Sequence, residues 1–419
     1  MDDGQTEHSP SPGGDAPTEQ RPLHRDRPFW AATPHRKAPA TREPSSRHYD
    51  VIVIGSGISG ALVAESLADG VRRVLILDRR DPVEGSTLAS TAMIQHEIDV
   101  PLHVLARKIG AERAARAWRR SARAVEDLRL RVERLGIDCA MTAKQALYLA
   151  GDEYGSRALQ METQTRHDAG VAAEYLNATL LQERFGLSRT GAIVSDFSAS
   201  ANPAQMTAGL LRAAMARGAE LVSPVEVTDV EERGETVILA TSEGRILTAG
   251  HVVFCTGYEF LKVMESPAHR IISTWALASQ PDMARPDWLD GFLVWEASDP
   301  YLYFRTASSG RIIVGGEDEE SATAFADPVK AQRKARRIVE KLADLTGIDI
   351  GEPAYAWSAP FGNTTTGLPI IDRAPGAERV HVVMGFGGNG ITFSVIAADI
   401  VRGRIEGIED PDADLFRQP

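Results

Sequence analysis

Cysteine is scarce in this chain, and so are long apolar runs. Only Cys139 and Cys255 occur among 419 residues, which excludes a disulfide framework and a cysteine-rich zinc site and suits a reducing compartment. No apolar run reaches the roughly 18 residues that cross a bilayer, and the N-terminus lacks the apolar core of a secretory signal. We therefore predict a cytoplasmic protein with no transmembrane segment and no metal site.

Positive charge is also under-represented. The chain has 46 Lys and Arg residues against 58 Asp and Glu residues, a formal net charge of -12. A surface with this excess of negative charge repels phosphate backbones, so nucleic acid is not an expected partner. Hydrophobic residues at 43% and charged residues at 25% are typical of a globular protein, and the length allows two domains.

The chain does contain a glycine-rich turn, in the stretch "VIVIGSGISGALVAESL" from Val51 to Leu67. Gly55, Gly57 and Gly60 have the spacing G-x-G-x-x-G, directly after an apolar run that predicts a buried strand. A helix is predicted to follow from Ile58 to Ala68. This order is typical of a loop that holds a dinucleotide, and the alternative is a turn that needs glycine for structural reasons alone.

A second apolar strand, "RRVLILDRR", completes a β-α-β unit and ends at Asp78. In such a unit Gly55 makes the tight turn, Gly57 lets the backbone approach a pyrophosphate, and Gly60 lets the helix pack on the strand. The start of the helix favours the negative charge of the phosphates. Asp78 is placed to accept hydrogen bonds from ribose hydroxyls.

Later segments predict which dinucleotide is bound. The strand "HVVFCTG" ends in Thr256 and Gly257, and the loop "GFGGNGITFS" opens a helix at about Ile391. A simple NAD dehydrogenase does not need that last loop. A flavin does, because its pyrimidine edge gains negative charge on reduction and a helix N-terminus stabilises that charge. We therefore predict non-covalently bound FAD.

At these segments the sequence resembles the superfamily of D-amino-acid oxidase, glycine oxidase and sarcosine oxidase, which are FAD-dependent oxidoreductases. The resemblance runs from Tyr49 to about Gly403 and rests on "YDVIVIGSGISGALVAESLADGVRRVLILDRR", "EGSTLASTAM", "HVVFCTGYE" and "TTTGLPIIDRAPGAERVHVVMGFGGNGITFS". The short "FWAATP" is similar to the N-terminal arm of gamma-glutamylputrescine oxidase-like members.

The resemblance implies a set of cofactor-binding residues along the whole flavin dinucleotide. They are Gly55, Ser56, Gly57, Ile58, Ser59, Gly60, Asp78, Arg79, Ser86, Thr87, Ser90, Val227, Thr256, Gly257, Gly387, Gly388, Asn389, Gly390 and Ile391.

The resemblance also implies the chemistry. A C–N bond of an amine or an N-substituted amino acid is oxidised by hydride transfer to flavin N5, the imine is hydrolysed, and O2 or another acceptor takes the electrons. One alternative is a dehydrogenase of the same fold that acts on a 2-hydroxy acid. Another is a non-catalytic flavoprotein subunit of a hetero-oligomer, and a homo-oligomer is equally compatible with the sequence.

Candidates for the substrate pocket come from one strand and one loop. Tyr301, Tyr303 and Arg305 alternate along a strand and so share a face, from which Arg305 would bind a substrate carboxylate. The alternative is that this face covers the sheet and Arg305 pairs within the protein. His96 is a further candidate for contact with the flavin or substrate, with a solvated or packed histidine as the alternative.

One departure from the family pattern concerns the carboxylate anchor. Amino-acid-oxidising relatives often read W-x-G-x-R-P-x-T-x-D-G-x-P where this chain reads "AWSAPFGNTTTGLPII". Phe361 stands at the arginine position and Thr366 at the aspartate position. The loss of that arginine favours an amine, an N-modified amino acid or a larger substrate.

The predicted fold class is α/β, a Rossmann-like FAD-binding domain with an inserted substrate domain that contains a mixed or antiparallel sheet. The FAD domain is assigned to residues 48–95, 197–262 and 350–405, and the substrate domain to 96–196 and 263–349. Residues 1–47 are predicted to be a mostly disordered tail, except that Phe29 and Trp30 are candidates to dock on the body. Residues 406–419 are assigned to a C-terminal tail.

Overall fold

The computed structural model describes residues 16–34, 37–264 and 266–418 as two large sheets with helices packed around them. The eight α-helices in these ranges are α1 Ile58–Leu67, α2 Leu102–Ile109, α3 Ala111–Arg134, α4 Ser156–Asp168, α5 Ala178–Phe185, α6 Pro203–Ala216, α7 Pro328–Thr346 and α8 Gly390–Glu406. Short 3-10 helices cover Phe29–Ala32, Ser86–Leu88, Lys262–Met264, Asp287–Gly291, Ala324–Ala326, Gly387–Asn389 and Ala413–Phe416.

The strands in the same ranges number seventeen. They are β1 His48–Ile54, β2 Val74–Leu77, β3 Met93–Gln95, β4 Thr142–Ala150, β5 Glu174–Asn177, β6 Gly191–Ser200, β7 Glu220–Val222, β8 Val227–Arg233, β9 Thr236–Thr241, β10 Ile246–Gly257, β11 His269–Ala278, β12 Phe292–Ala297, β13 Leu302–Thr306, β14 Ile312–Glu319, β15 Tyr355–Thr364, β16 Ile370–Arg373 and β17 Val380–Met384.

The first sheet has a parallel centre and contains the glycine-rich unit. Its order is β16-β17-β10-β1-β2-β7, with β9 beside β10 and β8 beside β9. Strands β10, β1, β2 and β7 run parallel, as the buried apolar runs and the crossover helix α1 require. Helices α1 and α8 pack together over this sheet. The predicted β-α-β unit is confirmed.

The second sheet is mixed and mostly antiparallel, in the order β15-β11-β14-β13-β12-β4-β6-β3 with β5 beside β6. The β12–β4 pair is parallel and the others are antiparallel. The predicted class, α/β with a Rossmann-like part and a second mixed sheet, is confirmed. The predicted domain boundaries remain a prediction, although β3 and β15 lie in the second sheet and not in the sheet of the FAD domain.

Local sequence signals account for several element ends. The Asn202 side chain caps α6 by accepting hydrogen bonds from Ala204 N and Gln205 N, both at 3.1 Å, as its Asn-Pro start predicts. The helical stretch from Pro101 to Leu135 is divided into α2 and α3 at Gly110, whose φ of 91° an L-residue rarely adopts.

The described part of the N-terminal segment packs against the two sheets, although the composition of this segment predicted disorder. Trp30 is 3% exposed and donates its ring N–H to Ser90 O at 2.6 Å, so the docking alternative for "FWAATP" is what the structure shows. We call residues 16–34 and 37–47 the N-terminal arm. Single β-bridges join it to both sheets, Thr41 to Val222 in the first and Arg25 to Ser358 in the second. Residues 1–15 lie outside the described part.

The C-terminal residues also pack, since Leu415 and Phe416 are buried. Across the described ranges, none of the helices combines the length and the apolar character that a membrane span requires.

Candidate active site

A single long cavity of about 860 Å³ runs from the glycine-rich turn of the first sheet to the inner face of the second. Its volume lies in the range of roughly 300–1,000 Å³ that is usual for small-molecule sites. Of the predicted cofactor residues, all line this cavity except Ser56 and Gly60, which lie behind its wall.

The turn between β1 and α1 is tight because two glycines lie against backbone. Gly55 has a φ of 108°, and a Cβ there would lie 2.3 Å from Cys255 O. A Cβ on Gly60 would lie 1.8 Å from Gly55 O, so only glycine lets α1 begin this close to the strand. Gly57 faces the cavity and has Thr87 Oγ1 beside it.

Asp78 stands at the end of β2, on the cavity wall. Its carboxylate accepts hydrogen bonds from Ser56 N and Ser56 Oγ, each at 2.6 Å, and from Arg80 N at 2.9 Å. Burial raises the pKa of Asp78, and these hydrogen bonds oppose that effect. Ser56, although not on the wall, thus orients the predicted ribose acceptor.

Sequence reasoning missed a charged cluster beside Asp78. Arg80 makes a bidentate pair with Glu259, at 2.9 and 2.6 Å, and Arg79 pairs with Glu226 at 3.2 Å and also with Glu259. The arm crosses this cluster, and its Thr18 and Leu23 line the cavity. No local pattern predicts these contacts, because each joins residues far apart in the chain.

The far end of the predicted cofactor site is the loop before α8. Gly387 has a φ of 58°, its carbonyl accepts the Tyr258 hydroxyl at 3.1 Å, and Gly388 N donates to Asp99 Oδ2 at 2.7 Å. Asn389 Nδ2 donates to Glu97 O at 2.5 Å. The loop is thereby fixed against residues 97–99, with the N-terminus of α8 at the cavity.

Beyond this loop the cavity is lined by phenols and carboxyls. The rings of Tyr301 and Tyr303 lie 5.7 Å apart, and Phe361 also lines the wall, as predicted. Sequence reasoning missed Asp99 and Asp318 on the same wall. Burial raises the pKa of each of these two carboxyls to about 6.

Arg305 does not reach the cavity, so the predicted carboxylate anchor is wrong. It is 2% exposed and donates to Thr91 O, Ala201 O and Thr306 O at 2.8–3.0 Å. Arg305 and Tyr303 lie on the same face of β13, as the alternation predicts. The segment that contains Thr91, however, lies between the Arg305 guanidinium and the cavity. Its donors are used inside the protein, and its guanidinium lies 5.4 Å from the Trp30 ring.

His96 also lies away from the cavity wall. It is fully buried against Trp118, at 5.8 Å between ring centroids, and Phe197, at 6.2 Å. Burial lowers its pKa to about 4, so the ring is neutral. The packed alternative therefore describes this histidine.

Comparison with known proteins shows the class of this chain. It belongs to the DAO family of FAD dependent oxidoreductases, whose family model matches residues 50–404. It is an FAD-dependent enzyme, as predicted.

Individual relatives are distant. The chain is 21% identical over 375 residues to the probable oxidoreductase OrdL of Haemophilus influenzae, covering 87% of this chain and 84% of that protein. It is 24% identical over 371 residues to the glycine oxidase of Geobacillus kaustophilus, covering 86% and 94%. The crystal structure of glycine oxidase from Geobacillus kaustophilus superposes with a TM-score of 0.72 at 23% identity over 89% of this chain and 99% of that chain. The structural likeness establishes the shared fold.

The residues present fit FAD. The cavity is long, it begins at a glycine turn and a helix N-terminus with a carboxylate at the neighbouring strand end, and it reaches a second glycine loop and helix N-terminus. Phosphates suit the first helix start, and the reduced flavin's negative edge suits the second.

Proposed function

We propose that this oxidoreductase oxidises a C–N bond of an amine or an N-substituted amino acid. The observation that carries the proposal is the composition of the cavity beyond the loop before α8. Within the described ranges its wall includes the carboxyls of Asp99 and Asp318 and the phenols of Tyr258, Tyr301 and Tyr303, and no histidine lines it. Oxidation of a 2-hydroxy acid would need a base to deprotonate the alcohol, and histidine is the residue that most often serves as that base. Distant similarity to a glycine oxidase supports the same assignment.

When bound, FAD supplies the acceptor for a hydride from the carbon next to nitrogen. The C–N single bond becomes C=N as nitrogen loses its proton. Water then adds to the imine, and the C–N bond breaks to give a carbonyl compound and a free amine. With FAD bound, the two electrons would pass on to O2 or another acceptor.

The chain's own residues bind and orient the amine and limit water. Asp99 and Asp318 give the far end of the cavity a negative potential that attracts an ammonium group. Tyr258, Tyr301 and Tyr303 remain neutral because burial raises the pKa of each phenol. Positioning accounts for most of the rate enhancement in such a site, since the cofactor carries the difficult step.

Anaerobic absorption spectroscopy of the purified holoprotein tests the proposal. Amines, N-alkyl amino acids, D-amino acids and 2-hydroxy acids are added separately while the flavin band is followed. We expect bleaching by a nitrogen compound, with the matching carbonyl product, and readmission of air then separates oxidase from dehydrogenase. Bleaching by hydroxy acids alone would refute C–N oxidation. An inactive single chain that regains activity only with a second protein would indicate a subunit.

A further inference from the structure

Asp318 is directed into the cavity by an irregularity in β14. The pairing of β11 with β14 shifts register between Ser273 and Trp275, opposite Gly316 to Glu319. Glu317 has a φ of 58°, a conformation that non-glycine residues rarely adopt. Glu317 forms ion pairs with Lys334, Arg337 and Lys341 of α7, while Asp318 lines the cavity.

The Asp318 carboxylate has no counter-charge bound to it. Both of its oxygens are buried, and neither makes a hydrogen bond of ordinary geometry to any described residue. The hydroxyls of Thr274 and Tyr301 lie near enough to oppose the rise in its pKa, but burial outweighs them. Lys334, the cation whose charge acts on Asp318, donates to Glu317 O at 2.6 Å. A buried carboxylate left in this state is costly, and a cationic ligand would offset that cost.

A second carboxylate faces the same space. Asp99 lines the cavity and is accessible from it, and its only resolved hydrogen bond within the described residues is the one from Gly388 N. Its negative charge raises the pKa of Asp318, so the two groups lie close enough to repel each other. A cation bound nearby would relieve this repulsion as well.

Aromatic rings line the same part of the cavity and suit it to binding a cation. Tyr301 and Tyr303 both lie close enough to Asp318 for its charge to raise their pKa, and Tyr258 stands in the same relation to Asp99. Ring faces attract ammonium groups, most strongly where water is excluded.

A substrate carboxylate would not find at this end the arginine to which relatives often bind it. Phe361 occupies the position at which relatives often have arginine, and Arg305 is used inside the protein. Two cations line the cavity on this side. Arg270 has a 65% exposed side chain and lies 3.5 Å from Glu320, and Lys108 donates to Thr365 O at 2.6 Å.

We propose that the substrate is an amine with two nitrogens, of the diamine or polyamine class, and that Asp318 holds the nitrogen that does not react. This inference rests on the C–N oxidation proposed above. The reacting nitrogen must lose its proton before hydride leaves the neighbouring carbon. A carboxylate that pairs with an ammonium keeps that ammonium protonated, so it suits the other nitrogen. Asp318 is thus a specificity-determining residue.

The test compares four compounds with the holoenzyme under anaerobic conditions: diaminobutane, its mono-acetylated form, butylamine and sarcosine. We expect diaminobutane to exceed butylamine and the acetylated form in the second-order rate constant of flavin reduction by about 10- to 100-fold, the effect of one charge-assisted hydrogen bond. Sarcosine should be the poorest. A preference for sarcosine would overturn the diamine assignment and leave C–N oxidation intact. If none of the four compounds bleached the flavin band and a 2-hydroxy acid did, both proposals would be refuted.

The variant Asp318→Asn tests whether the preference for diaminobutane depends on the Asp318 carboxylate. It should lower kcat/KM for diaminobutane about 10- to 100-fold, mostly through KM, and should change the value for butylamine less than about threefold. Asp344→Asn, with the same charge change at an exposed position of α7, should match wild type. An equal loss for both amines would contradict the assigned role of Asp318.

A binding measurement independent of turnover uses butyltrimethylammonium, which has no N–H to lose. We expect it to shift the flavin band of wild type on titration and to inhibit competitively, and to bind Asp318→Asn about 10-fold or more weakly. Should Asp318→Asn purify without flavin, the wild-type preference between diaminobutane and butylamine decides the proposal. Equal binding to wild type and the variant would overturn it.

Discussion

At the scale of single residues, the buried carboxyl of Asp318 lowers the stability of the folded chain at neutral pH. Asp318 ionises less readily in the folded chain than in the unfolded one, because its pKa rises from 3.8 to about 6. Between those two values the unfolded chain binds fewer protons, so the free energy of unfolding falls as pH rises through this range. Above pH 6 the full cost is present.

Replacing this carboxyl should therefore stabilise the protein at neutral pH. We expect Asp318→Asn to raise the Tm at pH 8 by about 2–4 °C in the absence of substrate. The gain should shrink as the pH is lowered from 6 to 4, where wild-type Asp318 is neutral too. Differential scanning calorimetry across this pH range, with Asp344→Asn as control, measures it. A Tm difference independent of pH would show that the charge is not the cause.

At the scale of elements, the β1–turn–α1 unit joins the sheet to the cofactor cavity. Helix α1 starts close to β1 because Gly60 has no side chain, and α1 in turn packs on α8, whose N-terminus lies at the other end of the cavity. The close approach at Gly60 therefore fixes the positions of two helix N-termini, those of α1 and α8, at the same cofactor cavity.

A single methyl group should disturb this arrangement. Gly60→Ala places a Cβ 1.8 Å from Gly55 O, so α1 must move away from the strand. We expect the purified variant to retain less than about a tenth of the wild-type flavin, judged by the visible-to-ultraviolet absorbance ratio, and to melt at a lower temperature. Gly291→Ala is the control, since its Cβ meets no atom within 4 Å. Full flavin content in Gly60→Ala would contradict this reading of the turn.

The sequence predicted the helices and strands better than it predicted the side chains that line the cavity. The β-α-β unit follows from local periodicity and turn residues, and the start of α6 follows from its Asn-Pro cap. The break at Gly110 divides a helix that composition alone presents as continuous. Arg305 was assigned correctly to a face of its strand, but the segment containing Thr91 covers that face. Asp318 was missed because a bulge, not a residue pattern, turns it inward.

At the scale of the whole molecule, the N-terminal arm connects the two sheets and closes one side of the cavity. Glu19 N donates to Phe260 O at 2.9 Å and Arg25 N to Ser358 O at 2.8 Å, so the arm touches β15 and the segment after β10. Trp30 fixes its middle by burial and by its bond to Ser90, a cavity residue. The arm is thus a structural part of the cofactor site.

Loss of the Trp30 ring should loosen both the fold and the cofactor. We expect Trp30→Ala to lower the Tm by several degrees, because truncating a buried tryptophan usually costs about 3–5 kcal/mol. Flavin fluorescence should also report faster release of FAD. Trp30→Phe keeps an aromatic ring and loses only the bond to Ser90 O, so its effects should be smaller. Wild-type stability and release in Trp30→Ala would show that the arm rests on the surface without function.

The arm also imposes an order on how the protein is made. Its residues 16–30 leave the ribosome before either sheet does, and the bridge partner of Arg25 is Ser358, about 330 residues later. At roughly 5–20 residues per second, that partner is synthesised on the order of 20–60 seconds after the arm. The Arg25 end of the arm cannot dock until that partner has been made. This side of the cavity therefore stays open to the cofactor during synthesis until the strand that contains Ser358 is in place.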